Sequence, residues 1–346
     1  DAAGRQRRAT RGSLEGRRAV QCLGQGLGPG LERIEVVKGP QSAYFGRNTF
    51  GGAINYISKQ PSLSDFQGEL KVLAANYNER DVSGAVSLPI IDDKLALRVG
   101  GRVFETGGMW TATDGGKLGE QSTHSYQLAL RAAPIDGLQM TVRYFSGRDD
   151  DGPAAGGAIP GRLNDSCNRS PVTIGGQSVK VGWFCGEVPE QGRAISALGN
   201  TKIIDSNTLV VSPRSLPATG NPNYLLEQYI NRPLPAALVG KVPNIDRIGL
   251  KREVERVSAR VSYEFNDGWA VEAQGGDNKL RANWVRDFNF TAFDNAYSRD
   301  PQYSTDRSWE VRLSSPQKSS FRWQAGYNHY QQTFISAATG GDSLFL

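Results

Sequence analysis

Residues able to do chemistry are few in this chain, and their spacing narrows the choices. The only histidines are His124 and His329 and the only cysteines Cys22, Cys167 and Cys185, so a Cys/His zinc site is not expected. Neither a His-Glu-x-x-His nor a Gly-x-Ser-x-Gly pattern occurs, which leaves metalloprotease and hydrolase chemistry without a basis. Gly39 and Gly46 frame a glycine-rich stretch, but six residues separate them and Arg47 follows, where a P-loop needs four residues and then Gly-Lys-Ser/Thr. Lys38 and Arg47 could attract an anion; a salt bridge within the local fold is the plainer role. No metal and no cofactor are expected. What remains is recognition. Arg98, Arg102, Arg131 and Arg143 share the polar side of their segments, a basic lining that favours an anionic ligand. Arg162, Trp183, Phe184 and Tyr224 lie in a long polar stretch, 150–246, and are candidates for ligand contact, with an ordinary ordered lid as the alternative. A Cys167–Cys185 disulfide in that stretch would close a loop worth about 3 kcal/mol and mark an exported protein; two free thiols are the other reading.

These residues need elements to hold them, and the composition limits which. The chain has 346 residues, and no apolar run approaches the roughly 18 that a spanning helix needs. Glycine is abundant, 41 of 346, and the aromatics are too many for a disordered chain. From residue 66 onward apolar and polar residues alternate with period 2, the signature of strands with two chemically different faces. Leu70 and Val72 oppose Glu69 and Lys71; Leu97, Val99 and Val103 oppose Arg98 and Arg102; Val257, Ala259 and Val261 oppose Ser258 and Arg260. Nine such strands are predicted, at 66–76, 81–88, 94–103, 123–131, 138–144, 256–265, 269–274, 309–313 and 321–328.

Connections alternate in length. Those at 89–93, 134–137, 266–268 and 315–320 are tight, whereas 106–121, 150–246 and 282–301 are long; the short link at 77–80 falls on the long side and breaks the rule. Membrane barrels show this asymmetry. A soluble antiparallel sandwich also alternates, but its polar face need not carry Arg, Lys, Glu and Gln along whole strands, nor should Tyr263, Phe265, Trp269, Phe321 and Trp323 collect beside the tight turns. The expected fold is therefore all-β, a transmembrane antiparallel barrel wall with one aliphatic and one wet face.

Ahead of the strands, residues 31–61 read Leu31-Glu-Arg-Ile-Glu-Val-Val-Lys-Gly-Pro-Gln-Ser-Ala-Tyr-Phe-Gly-Arg-Asn-Thr-Phe-Gly-Gly-Ala-Ile-Asn-Tyr-Ile-Ser-Lys-Gln-Pro61. This closely resembles the end of the plug domain of TonB-dependent outer-membrane receptors, with Glu35, Lys38, Gly39, Pro40, Gly46, Arg47, Gly51 and Gly52 as the motif. Read physically, a strand around Ile34 and Val36 stops at Gly39-Pro40, residues 41–45 form a helical turn that Gly46 ends, and Gly51-Gly52 reverses the chain into a second strand. The resemblance implies a plugged barrel of about 22 strands, of which this chain would hold the plug end at 31–62 and the first nine barrel strands within 63–346. It implies the outer membrane of a Gram-negative bacterium, contact with its lipid, a small-molecule cargo such as a ferric siderophore, and work supplied by the TonB complex through a plug N-terminus missing here. No bond of the cargo is broken, so an enzyme is not expected.

Two departures qualify the resemblance. The basic residues 1–30 match no energy-coupling box; they read as disordered or non-native sequence, because a nucleic-acid-binding arm would need interleaved aromatics. Nine strands would leave two sheet edges unpaired in lipid, at several kcal/mol per unmet backbone group. A fragment that does not transport alone is therefore expected. A soluble β-rich glycan-binding protein is the alternative from another functional class.

Overall fold

The structure is a computed structural model that describes residues 30–40, 50–111, 117–154, 172–174, 177–179, 224–287 and 297–340. Each of the nine expected strands overlaps an observed one, although the last begins at Gln324 and leaves Phe321 and Trp323 in the preceding turn. After a hairpin of β1 (Leu31–Lys38) and β2 (Gly52–Ser58), the wall begins with β3 (Gln67–Ala75), β4 (Glu79–Ile91), β5 (Leu95–Thr111), β6 (Lys117–Ala132) and β7 (Leu138–Asp151). Two three-residue strands, β8 (Val172–Ile174) and β9 (Gln177–Val179), and the helix α1 (Tyr224–Ile230) interrupt it. It resumes with β10 (Gly249–Glu264), β11 (Ala270–Asp287), β12 (Tyr297–Ser314) and β13 (Gln324–Ser336), and the short β14 (Thr339–Gly340) pairs with β12. The wall is one antiparallel sheet in the order β13-β12-β11-β10-β7-β6-β5-β4-β3, with β3 and β13 at its two open edges among the described residues.

The register decides which residues share a face, because directly opposed residues in antiparallel strands point the same way. Val86 pairs with Val99, Val99 with Leu128, Leu130 with Val142, Val142 with Ala259, Val261 with Ala273, Ala273 with Val311 and Val311 with Tyr327. A continuous aliphatic band thus crosses eight of the nine strands, and Leu70 and Val72 of β3 continue it. No layer of described residues covers it: Val72 is 66% exposed, Val142 47% and Val311 42%. At the height of the band the opposite face holds buried polar groups, with Ser87 at 0% and Arg98 at 4% exposure. A water-soluble sandwich has the reverse arrangement.

The height of the band also fits a bilayer. On β10 the outward residues run from Phe265 through Tyr263, Val261, Ala259 and Val257 to Glu255, the first charge. Ten positions span about 34 Å of strand and about 25 Å of height once the strand is tilted. Aromatic pairs mark the lower limit, Tyr263 with Phe265 at 4.7 Å between ring centroids and Trp269 with Trp323 at 5.3 Å. An upper set, Tyr126 with Tyr144 at 5.8 Å and Trp309 with Tyr327 at 5.3 Å, was not read from the sequence. The fold is a partial antiparallel transmembrane barrel.

Three expectations about connections need correction. The segments 106–121 and 282–301 are largely strand, since β5 continues to Thr111, β6 starts at Lys117, β11 continues to Asp287 and β12 starts at Tyr297. Above the apolar band both faces can be wet, so pairing persists without alternation to signal it. The tight turn expected at 89–93 starts later, because β4 runs to Ile91 and accommodates Pro89 with a register shift between Pro89 and Ile91. The long stretch 150–246 contains β8, β9 and α1. Its last part folds back onto the upper sheet, where Leu226, Tyr229, Ile245 and Ile248 form a buried cluster with Val285 and Tyr297. By register, Val285 and Tyr297 lie on the face that carries the aliphatic band lower down, so this segment covers apolar residues that stand above the membrane level. Arg299 pins it, donating through Nη1 to the carbonyls of Tyr229 (3.2 Å), Ile230 (2.8 Å) and Arg232 (2.9 Å).

Candidate functional site

Of the motif residues, Glu35, Lys38 and Gly52 lie in the β1–β2 hairpin, which pairs Leu31 with Ser58 and, after a register shift between Leu31 and Arg33, runs to Lys38 opposite Gly52. Glu35 faces Asn55, whose Nδ2 donates to it at 3.3 Å, and Arg33 Nε donates to it at 2.8 Å. The Arg33 guanidinium holds the Glu35 carboxyl below its ordinary range. Gly39 leaves β1 with φ +83°, followed by Pro40, and its amide donates to the carbonyl of Gly51 at 3.3 Å. Gly52 enters β2 with φ +141°, and a Cβ there would collide with the carbonyl oxygen of Val37. The entry into β2 therefore requires glycine at position 52 on both torsional and steric grounds. Gly46 and Arg47 lie outside the described residues.

The hairpin meets the polar face of the wall through the linker that follows it. The Lys59 amide donates to the carbonyl of Gly30 at 2.7 Å, closing the open end of the hairpin. The Lys59 ammonium and the Arg98 guanidinium both pair with Glu69 of β3. Arg143 Nη1 donates to the Lys59 carbonyl at 3.0 Å, and Arg131 donates to the Pro61 carbonyl at 3.3 Å and to Gln139 Oε1 at 2.9 Å. The Ser62 amide donates to Ser87 Oγ at 2.8 Å, and the Leu63 carbonyl accepts from Asp93 at 3.0 Å. Strands β3, β4, β6 and β7 thereby hold residues 59–62, and Arg98 of β5 supports them through Glu69. A cavity of about 130 Å³ remains between hairpin and wall, bordered by Gly30, Tyr56, Ser58 and Lys59 on one side and by Arg98, Gln127, Arg143, Phe145, Arg256 and Ser258 on the other.

The four inner arginines named from the sequence therefore share one face but not one environment. Arg102 is bidentate on Asp81, at 2.7 and 3.1 Å, with Lys71 at 3.8 Å from the same carboxylate. Arg98 is paired with Glu69, while Arg131 and Arg143 hold the linker. Tyr224 opens α1, and its side chain lies outside the described residues, as do Arg162, Trp183, Phe184, Cys167 and Cys185. Sequence reading missed the linker contacts and Arg256, because hydrogen bonds from strand side chains to a distant backbone leave no trace in periodicity.

Comparison with known proteins adds an independent line. No protein-family model matches the chain. A ferrioxamine B receptor of Salmonella typhimurium is 40% identical over 72 residues, 20% of this chain and 10% of the relative. The metal-pseudopaline receptor CntO of Pseudomonas aeruginosa is 28% identical over 99 residues, 28% of this chain and 14% of that protein. The matched regions thus span only a small part of these relatives. The ferric yersiniabactin uptake receptor FyuA of Yersinia pestis superposes with TM-score 0.56 at 14% identity, covering 91% of this chain and 38% of FyuA. The pyoverdine outer-membrane receptor FpvA of Pseudomonas aeruginosa gives 0.54 at 15% identity, covering 89% and 36%. Taken with the glycine-hinged hairpin held against the polar face of an open sheet, these likenesses give the chain the fold of part of an outer-membrane siderophore-receptor barrel, in agreement with its resemblance to TonB-dependent receptors.

Proposed function

We propose that the chain serves active uptake of a ferric siderophore across the outer membrane of a Gram-negative bacterium, as part of a receptor driven by the TonB complex. In this reading residues 31–62 are the end of the plug, residues 63–346 begin the barrel, the aliphatic band meets lipid, and no nucleic acid is bound. Nothing in the proposed cycle breaks a covalent bond of the cargo, so the protein is a transporter rather than an enzyme. The single observation that carries the reading is the hairpin tied through residues 59–62 to the polar face of a wall whose other face is aliphatic and uncovered. The names of the relatives support a ferric siderophore over other scarce nutrients. Arg162, Trp183, Phe184 and Tyr224 are assigned to cargo contact, behind a Cys167–Cys185 clip, because long surface loops carry binding on rigid scaffolds. Arg98, Arg102, Arg131 and Arg143 are assigned to the basic lining behind them.

Tryptophan fluorescence of the chain in non-ionic detergent tests this. Saturable quenching by one member of a ferric siderophore panel, weaker for its iron-free form, is the expected result. Binding of glycans but of no siderophore, or a monodisperse chain in detergent-free buffer, would overturn the assignment.

A further inference from the structure

The inner-face arginines fall into two electrostatic classes. Arg98 and Arg102 stand against Glu69 and Asp81. Arg131, Arg143 and Arg256, on the neighbouring strands β6, β7 and β10, have no carboxylate partner among the described residues. Arg131 donates to a carbonyl and an amide oxygen, Arg143 donates to the Lys59 carbonyl, and Arg256 lies 5.8 Å from the centre of the Phe145 ring. All these partners are neutral, so no described carboxylate balances the three guanidinium groups, of which Arg131 and Arg143 are half-buried and Arg256 is exposed.

Two of them, Arg143 and Arg256, border the cavity between hairpin and wall, together with Gln127. Arg143 Nη2 and Gln127 Nε2 are shut off from solvent and have no hydrogen-bond acceptor among the described residues. A buried guanidinium N–H without an acceptor is unfavourable. The hairpin approaches closely here: a Cβ on Gly30 would collide with the Gln127 carboxamide. Ser58 and Tyr56 border the same cavity from the hairpin side. A guanidinium pair with amide and hydroxyl donors matches an oxyanion better than a halide, because planar N–H forks engage two oxygens at once. A cavity of about 130 Å³ has room for an anion the size of phosphate.

We propose that this cavity is a binding site for a small oxyanion of phosphate or carboxylate type, held by Arg143, Arg256 and Gln127 on the wall and by Ser58 of the hairpin. An anion there touches both parts at once, so its binding stabilises the docked hairpin by linkage. The site does not depend on which cargo the receptor takes. The same oxyanion chemistry could come from a free inorganic anion or from a carboxylate-bearing iron complex.

The test uses the 346-residue chain in non-ionic detergent, titrated by calorimetry and phosphorus NMR with inorganic phosphate, and separately with ferric citrate, at fixed ionic strength. One saturable site is expected; tighter phosphate binding marks a free-anion site and tighter ferric citrate binding a station for cargo. Arg143→Gln and Arg256→Gln should each weaken binding by about 10- to 100-fold, the loss expected for a charged hydrogen bond. Arg143→Lys should fall between, and Arg307→Gln, on the opposite face, should bind as the parent does. In the unaltered chain, phosphate should also slow amide exchange at Gly30 and at residues 56–59, a readout that needs no variant to fold. Absence of saturable binding by either probe, or equal losses in Arg143→Gln and Arg307→Gln, would overturn the proposal.

Discussion

Three glycines of the hairpin motif look alike in sequence and should respond very differently to alanine. At Gly51 the backbone is in an ordinary region and an added Cβ would meet nothing within 4 Å. Gly39 also has open space, but its φ of +83° is one that side-chain-bearing residues resist, at a cost of about 1 kcal/mol or somewhat more. Gly52 combines φ +141° with a Cβ position well inside the 3.0 Å that real Cβ atoms respect, and the obstructing atom is the Val37 carbonyl oxygen, which cannot swing aside without breaking the β1–β2 ladder. Strain of about 1–3 kcal/mol plus this overlap should bring Gly52→Ala to about 3 kcal/mol or beyond. Backbone amide exchange followed by mass spectrometry reads these as changes in local opening. With about 1.4 kcal/mol for each tenfold, Gly51→Ala should leave exchange in β1 and β2 unchanged. Gly39→Ala should speed it about five- to tenfold, and Gly52→Ala more than 100-fold, to near-complete loss of protection. Equal effects at Gly51 and Gly52, or a silent Gly52→Ala, would refute the reasoning that this turn is held by backbone geometry.

Other outcomes follow from the ion pairs and the anchored loop. Asp81→Asn removes the carboxylate of buried Arg102 and should destabilise the folded chain by about 3–5 kcal/mol in denaturant titration, whereas Arg102→Ala should cost less because Lys71 remains 3.8 Å from Asp81. The depressed Glu35 carboxyl contributes hairpin stability that is fully present above its ordinary value of 4.5 and is lost as pH falls through the lower folded-state value. Amide protection in β1 should accordingly hold from neutral pH to about 5 and decline below, and Glu35→Gln should abolish that dependence. Arg299→Ala should free the backbone between 224 and 248 from the upper sheet, read as new protease cleavage in that segment while the lower strands stay protected.

Amino-acid order alone determined the local features. A half-buried strand forces side chains to alternate between two environments, so Val99 beside Arg98 and Val261 beside Arg260 announce strand and face together. Gly39 and Gly52 were legible for a similar reason, since residues with a Cβ resist their torsions. Legibility faded where the environments became equal. Above the band, residues 106–108 and 282–287 see water or protein on both sides, and their strand character left no pattern.

Only the tertiary structure decided partnership. Arg98 and Arg143 are indistinguishable by position in an alternating strand, yet one ends on Glu69 and the other on a linker carbonyl beside a cavity. That difference depends on which strand lies next to which and on where the chain crosses the sheet, quantities fixed by contacts between residues dozens of positions apart. Periodicity, being local, carries the face of a side chain; electrostatics acts through space, and so the fate of each charge is settled by the fold.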